Sequence, residues 1–185
     1  MKKTIFATIA AVALAITSFG ASAQMKDPTV GGAAMYPTKT IVENAVNSPI
    51  HTTLVAAVKA AGLVDTLNGP GPFTVFAPTN DAFDKLPAGT VANLVKPENK
   101  ATLTKILTYH VVPGRISSKQ LMKMIEKGNG KAMLKTVQGE DLTATMSDGH
   151  IMLTDAKGGT ATVTTADVFQ SNGVIHVIDT VLMPN

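Results

Sequence analysis

Two polar residues, His176 and Asp179, interrupt an apolar, β-branched run near the end of the chain, NGVIHVIDTVLMP at residues 172–184. A histidine beside a carboxylate is a pair that general acid–base catalysis uses, and histidine is also a common metal ligand. Side chains alternate between the two faces of a strand, so this pattern places His176 with Val174 and Ile178 and places Asp179 on the opposite face. The two cannot form a catalytic pair, and we predict that His176 is a buried, neutral residue bonded to backbone groups.

The other groups that could carry chemistry are dispersed along the sequence. The four histidines include no pair at the i and i+4 spacing of helical metal ligands. Asp81 and Asp84 are spaced like a carboxylate pair, but no oxyanion loop, nucleophile elbow or phosphate loop accompanies them. We therefore predict no catalytic residue, no metal site and no cofactor site. His51 is expected to be exposed near the start of a helix.

Two further motifs are predicted to be structural rather than functional. Met122 and Met124 stand at i and i+2 on a predicted helix, so their thioethers point in different directions, which does not suit a copper(I) site. Met124 is expected in the core beside Leu121 and Ile125. Asn80, between a predicted strand and a predicted helix, is expected to cap backbone donors.

The first 23 residues have the pattern of a secretory signal peptide. Lys2 and Lys3 are followed by an apolar stretch, residues 5–19, and by the small-residue cleavage sequence Ala21-Ser22-Ala23. Cleavage after Ala23 would release an exported protein, in the periplasm or the medium, that has no second apolar stretch long enough to span a membrane.

The composition after cleavage is that of one ordinary domain. Removing residues 1–23 from 185 leaves 162 residues, and removing two lysines leaves 14 basic against 13 acidic residues, a net charge of +1. No basic cluster suits a nucleic-acid backbone, so nucleic acid is not an expected partner. The absence of cysteine rules out a thiol nucleophile, a thiolate metal site and a disulfide framework.

The pattern of elements predicts an α+β domain over residues 37–185. Residues 24–36 are rich in Gly, Pro and Ala without any period and are predicted to be a flexible lead-in. Helical patterns with capping residues then dominate up to about residue 127. Short β-branched runs separated by turn dipeptides follow, so helices and strands are segregated rather than alternating.

Three ordered segments carry a resemblance to a known family. TVFAPTNDAF at 74–83, LTYHVVPG at 107–114 and the segment at 172–184 resemble the signature segments of fasciclin-type domains. The resemblance covers roughly residues 37–185 and is strongest to single-domain secreted bacterial members. It implies a wedge-shaped β-sandwich of about seven strands with short helices packed along one edge.

Tyr109 and His110 have two interpretations. The resemblance implies that they could be a displayed adhesion determinant, as proposed for animal relatives. Alternatively, they belong to a short strand, Tyr109 to Val112, whose side chains are packed rather than displayed. We favour packing and keep both residues as candidate binding residues.

Two classes of function remain open. The first is a non-enzymatic interaction domain for cell adhesion or for binding extracellular matrix and surface components, as the resemblance implies. Its partner would be an extracellular or cell-surface protein or glycan, bound by a monomer through loop residues such as Arg115 and Lys157. The second is a small-ligand carrier or an unrecognised hydrolase, which would need an apolar cleft with convergent polar groups.

Overall fold

The structure is a computed structural model and describes residues 27–185. The predicted signal peptide, residues 1–23, lies outside the described residues. The helices are α1 (Ile41–Ala45), α2 (Thr52–Ala61), α3 (Val64–Asn68), α4 (Asn80–Asp84), α5 (Thr90–Leu94), α6 (Lys100–Tyr109) and α7 (Ser118–Lys127). The strands are β1 (Thr29–Val30), β2 (Ala33–Ala34), β3 (Phe73–Pro78), β4 (Val111–Pro113), β5 (Lys131–Lys135), β6 (Asp141–Ser147), β7 (His150–Thr154), β8 (Thr160–Gln170) and β9 (Gly173–Ile178).

Capping residues determine where several helices begin and end. Thr40 accepts a hydrogen bond from the backbone N–H of Glu43, whose carboxylate accepts one from the N–H of Thr40, as the capping-box spacing predicts. Ser117 and Gln120 make the same reciprocal pair at the start of α7. Gly62 ends α2 with a φ of +71°, a left-handed conformation that disfavours residues with a Cβ.

Strands β3 to β9 form one curled seven-stranded sheet, with the strand order β4-β3-β9-β8-β7-β6-β5. Neighbouring strands are antiparallel except for β3 and β9, which run parallel, a pairing that the sequence pattern did not predict. The sheet curls until its two edges meet, because the N–H of Val137, just beyond β5, donates to the carbonyl of Val111 in β4 at 2.8 Å. The predicted α+β domain with about seven strands and a set of short helices is confirmed.

Two hydrophobic clusters lie on the two sides of the central strands. Helices α1 to α6 pack on one face of β3 and β9, where Val75, Ile175 and Val177 point. The opposite faces point into the curl of the sheet, which α7 closes with Leu121 and Ile125. All six residues of β9 are buried, so this strand is covered on both faces, as its continuous apolar sequence predicts.

The N-terminal segment differs from the flexible lead-in expected for residues 24–36. Strands β1 and β2 pair as a small antiparallel hairpin, with Val30 opposite Ala33. Val30 and the following Met35 are 4% and 2% exposed and belong to the helix-side cluster. No periodic pattern is visible here because each strand has only two residues, too few to display an alternation.

Two further sequence predictions are wrong. His51 is buried, with 3% exposure, and lies beneath the N-terminal hairpin. Its Nδ1 lies 2.8 Å from the hydroxyl of Ser48. Met124 is 37% exposed, whereas Leu121 and Ile125 are buried as predicted. The buried face of α7 is therefore narrower than predicted, and Met124 lies outside it.

The hairpin contact gives a stability prediction. Met35→Ala should lower the free energy of unfolding by about 2–5 kcal/mol, because a buried methionine side chain is lost and a cavity remains. Met133→Ala is the matched control, since Met133 is 61% exposed on β5, and its effect should stay within about 0.5 kcal/mol. Denaturant melts of the three proteins measure both values. Coinciding midpoints for Met35→Ala and the parent would contradict the placement of the hairpin in the core.

Candidate binding surface

His176, on the central strand β9, bonds to two loops through its two ring nitrogens. Its Nε2–H donates to the carbonyl of Ile116, with 2.8 Å between N and O, and its Nδ1 accepts from the N–H of Asp167 at 3.3 Å. The ring also stacks on Phe76 of the neighbouring strand β3, with centroids 5.6 Å apart. His176 therefore joins the loop before α7 to the irregular part of β8, which confirms the predicted structural role.

This arrangement fixes both the tautomer and the charge of His176. A carbonyl only accepts and an amide N–H only donates, so Nε2 carries the proton and Nδ1 does not. The residue is fully buried, and burial lowers the pKa of its imidazole below the ordinary value. Asp179 uses its carboxylate elsewhere, accepting from the N–H of Thr162 at 2.8 Å. The two side chains do not pair, as the alternation of the strand predicts.

His110 has an equivalent role just before β4, where its carbonyl accepts from the N–H of Phe76. Its Nδ1–H donates to the carbonyl of Ile106 at 2.9 Å, and its Nε2 accepts from the N–H of Leu182 at 3.0 Å. Burial lowers the pKa of His110 from 6.5 to about 4. His110 therefore holds the C-terminal segment against α6 as a neutral ring and is not displayed.

Tyr109 is also packed, but in a helix rather than in the strand expected for residues 109–112. It is the last residue of α6, His110 is the C-cap, and the strand starts at Val111. The Tyr109 hydroxyl donates to the carbonyl of Asp141 at 3.1 Å and accepts from the N–H of Ala156 at 3.0 Å. Short apolar segments of this kind fit either a helix or a strand, and packing against the core decides between them.

The loop that carries Lys157, between β7 and β8, is held in place by Asp155. One carboxylate oxygen of Asp155 accepts from the N–H groups of Lys157 and Gly159, at 2.9 and 2.7 Å. The other accepts from the N–H of Met183 at 2.9 Å. Together with the Tyr109 hydroxyl, these bonds give the loop a fixed backbone and leave the Lys157 side chain exposed.

Arg115 lies in the loop before α7, which is fixed to the central strands. The Thr74 hydroxyl donates to the carbonyl of Gly114 at 2.6 Å and accepts from the N–H of Ile116 at 2.9 Å. Nη2 of Arg115 donates to the carbonyls of Gln170 and Ser171, at 2.9 and 3.0 Å. The remaining guanidinium N–H groups belong to an exposed side chain, so they are available to a partner.

The structure places the two exposed candidate residues far apart. Arg115 contacts the end of β8, and Lys157 lies three residues before its start. Strand β8 has 11 residues, but register shifts set residues 163–170 against only the six residues of β9, so at about 3.3 Å per residue its ends are separated by at most about 26 Å. Tyr109 supports the Lys157 loop, whereas the Arg115 loop is bonded to His176 through Ile116. The two exposed candidate residues therefore lie at opposite ends of β8 rather than in one site.

Asn172 and Asn80 are structural residues whose partners sequence reasoning missed. Asn172, in the turn between β8 and β9, accepts from the N–H of Ile41 and donates to the carbonyls of Leu67 and Gly69, at 2.7 to 3.1 Å. Asn80 accepts from the N–H of Thr53 at the start of α2, so it caps a helix other than its own. An asparagine before glycine signals a turn, but the sequence does not identify partners more than 100 residues away.

The enclosed cavity on the helix side does not resemble a small-molecule site, and a larger depression of about 420 Å³ beside α4 and α5 is open to solvent. The cavity between α1, α2, α3 and β3 has a volume of about 40 Å³ and is lined almost entirely by aliphatic side chains. Sites for small molecules usually have about 300–1,000 Å³ and several convergent polar groups. Within residues 27–185, no three His, Asp or Glu side chains come together in a way that could hold a metal ion.

With this geometry established, comparison with known proteins identifies the class. The model of the fasciclin domain matches residues 49–184, and the chain belongs to the fasciclin domain family. The fold is similar to a solved pair of such domains from the insect cell adhesion molecule fasciclin I, with a TM-score of 0.70. That similarity covers 80% of this chain and 51% of the other at 22% sequence identity, so it shows the fold alone.

Within the family, the chain is similar to bacterial proteins. It is 52% identical over 159 residues to Protein sll1483 of Synechocystis sp. This similarity covers 86% of this chain and 81% of that protein. It is 39% identical over 161 residues to Cell surface glycolipoprotein MPB83 of Mycobacterium bovis, covering 84% of this chain and 64% of that protein. No helix among residues 27–185 is both long and apolar enough to cross a membrane.

The contacts of His176 predict the effect of its removal. His176→Ala should lower the free energy of unfolding by about 1–3 kcal/mol, because it leaves the Ile116 carbonyl and the Asp167 N–H without their partner. His150→Ala, at an exposed position beside a turn, should have little effect. Paired denaturant melts make the comparison, and equal midpoints for His176→Ala and the parent would refute the structural role.

The buried histidines also predict how stability depends on pH. The pKa of His110 is about 4 in the folded protein and near 6.5 when unfolded, so between these values the unfolded chain binds more protons. The contribution of neutral His110 is fully present above pH 6.5 and is lost as pH falls towards 4, by about 3 kcal/mol. Urea melts at pH 7.5, 5.5 and 4.5 measure this. His110→Gln should have a shallower dependence, and an identical slope would contradict the assignment.

Proposed function

We propose that this protein is an exported, non-enzymatic binding domain that attaches to extracellular or cell-surface components. The observation that carries this proposal is that the polar residues of the family's signature segments form hydrogen bonds to backbone groups. Tyr109 and His176 bond to backbone groups of the loops that present Lys157 and Arg115 to solvent, and His110 bonds to the C-terminal segment. A rigid scaffold with exposed loops is the usual design of a binding domain.

The same contacts support the absence of turnover. A general base needs a free ring nitrogen or carboxylate within reach of a substrate. Both nitrogens of His110 and of His176 are already bonded, and Asp179 and Asp155 accept backbone N–H groups. The bonds of these four residues leave them structural rather than catalytic.

The relatives support an extracellular location. The mycobacterial relative is named as a cell surface glycolipoprotein. The predicted signal peptide at residues 1–23 agrees with export to the periplasm or the medium. We propose a monomer, because the two edges of the sheet bond to each other through Val137 and Val111 and do not offer a long free strand.

The partner is proposed to be an extracellular or cell-surface protein or glycan, contacted by Arg115 and Lys157. Both residues are cationic and exposed on loops with a fixed backbone. Tyr109 and His110, which were also candidates, would act only by supporting these loops, since both are buried.

Attachment of cells to surfaces tests the proposal. Deleting the protein should reduce attachment, and re-expression should restore it. Arg115→Gln or Lys157→Gln should restore attachment only in part, because each removes one exposed cation. The free energy of unfolding of both variants must lie within about 0.5 kcal/mol of that of the parent. Unchanged attachment on deletion, together with turnover of ester, peptide or glycoside substrates by the purified protein, would overturn the proposal.

A further inference from the structure

Lysine recurs at every fourth position along α7. A spacing of four residues returns a side chain to nearly the same side of a helix, so Lys119, Lys123 and Lys127 form one row. Leu121 and Ile125 of the same helix are buried in the curl of the sheet, and all three lysines are exposed on the outward side. We call this outward side of α7, with its three lysines, the lysine face. No two of these lysines are adjacent in the sequence, so the row becomes apparent only on the helix.

The same spacing of lysines continues beyond the helix into β5. Lys131 and Lys135 alternate with buried residues and therefore lie on the outer face of this strand. The N–H of Lys131 donates to the carbonyl of Gly128 at 3.3 Å, which keeps Lys131 close to the end of α7. Lys135 lies opposite Asp141 of β6, which offsets its charge. The positive charge is therefore concentrated on the lysine face and at Lys131.

The charge of the lysine face is not compensated by ion pairs. The two ion pairs described within residues 27–185 involve Lys85 and Lys105, and both lie outside α7 and β5. Glu126, three residues after Lys123, is the one carboxylate that α7 carries. The helix therefore presents three cations against one anion.

The row of lysines does not stabilise the helix that carries it. Like charges four residues apart repel each other across one turn, and α7 has two such pairs, Lys119–Lys123 and Lys123–Lys127. A cation in the first turn, where Lys119 stands, is also unfavourable, because the N-terminus of a helix carries a partial positive charge. Of the three, only Lys127 in the last turn is placed where the helix dipole favours a cation. Helix stability therefore does not explain the row, and an external anionic partner does.

Helix α7 holds the lysine face in a fixed position without a partner. Its first residue, Ser118, donates to the carboxylate of Asp167 through both its N–H and its hydroxyl. Leu121 and Ile125 pack in the cluster inside the curled sheet. The lysines are therefore presented without a folding step, and the apolar side of the helix is not available to enter a membrane.

We propose that the lysine face binds the surface of a bilayer that contains anionic phospholipids, as a peripheral contact without insertion. Lysines beside an anionic lipid surface each strengthen binding about fivefold. This inference goes beyond the proposed function, because it uses residues other than Arg115 and Lys157.

The shape of the lysine face favours a lipid surface over a soluble polymer. The depression beside α7 is lined by Ser118 and Met122 on the flank of the helix and not by the lysines, which stand on its convex side. A polymer with a fixed spacing of charges has no fitted groove along this row. Lipid headgroups diffuse laterally and collect beneath lysines at any spacing, so a convex row of cations is sufficient for them.

Co-sedimentation of the purified exported protein with vesicles tests the proposal. The protein should bind vesicles of equal parts phosphatidylglycerol and phosphatidylcholine, should be released as salt is raised, and should not bind pure phosphatidylcholine. Lys123→Gln and Lys127→Gln should each weaken binding about fivefold. Lys123→Arg should keep the affinity, and Glu126→Gln should increase it. Binding that is equal on neutral vesicles, or absent from both kinds, would overturn the proposal.

Lys123→Glu separates a role in binding from a role in stability. It reverses one charge, so vesicle binding should fall roughly twenty-five-fold. It also replaces two repulsive pairs on the helix by attractive ones, so the midpoint of unfolding should be unchanged or higher. An unchanged affinity of Lys123→Glu for the mixed vesicles would contradict the proposal.

Lys96→Gln is the matched control for charge. Lys96 is exposed between α5 and α6, which pack on the other face of the central strands, so its removal should change the affinity less than twofold. Equal losses for Lys96→Gln and Lys123→Gln would mean that net charge alone drives binding and would overturn the proposal.

Two further ligands distinguish other anionic partners. Sodium phosphate should release the protein from vesicles no more than sodium chloride of equal ionic strength, and a stronger effect of phosphate would assign the lysines to free phosphate instead. Binding of polygalacturonate through the same lysines without binding to vesicles would assign them to a soluble polymer. Either result overturns the lipid assignment. If deletion of the protein reduces attachment while the mixed vesicles do not bind, this inference is wrong and the proposed function stands.

Discussion

The burial of β9 on both faces is the constraint on which the rest of the structure depends. This strand pairs with β3 on one side and with β8 on the other, and both hydrophobic clusters rest on it. A polar side chain in such a strand must find its hydrogen-bond partners within the protein, since an unpaired buried polar group costs about 1–3 kcal/mol. His176 meets this requirement by bonding to Ile116 and Asp167. The loop before α7 and the irregular part of β8 therefore have one defined position.

The same principle explains the other signature residues. His110 fixes the C-terminal segment through Leu182, and Tyr109 fixes the loop between β7 and β8 through Ala156. Each residue uses a buried polar atom to position a backbone group of a loop. The signature motifs thus hold the loops, and the exposed residues of those loops face the surroundings.

The sequence predicted most helices, the α+β class and the packed state of His176, because these depend on local patterns. Capping boxes, turn dipeptides and apolar alternation act over a few residues and can be recognised without the fold. The prediction was wrong where the local pattern was weak. Residues 29–34 form a hairpin too short to display a period, and Tyr109 belongs to a helix because α6 continues two residues beyond Leu107, where the apolar pattern ends. His51 is buried because a distant segment covers it.

By itself the sequence determined that His176 and Asp179 could not form a catalytic pair, since alternation on one strand separates them whatever the surrounding fold. Only the tertiary structure decided which distant segments meet. Lys39, Arg115 and Ser171 come from three parts of the chain, and hydrogen bonds across the turn between β8 and β9 bring them together. The tertiary structure also decided that Arg115 and Lys157 lie at opposite ends of β8. Contacts of this kind depend on sheet order and on the curl of the sheet, which arise from packing of the whole chain and leave no local pattern in the sequence.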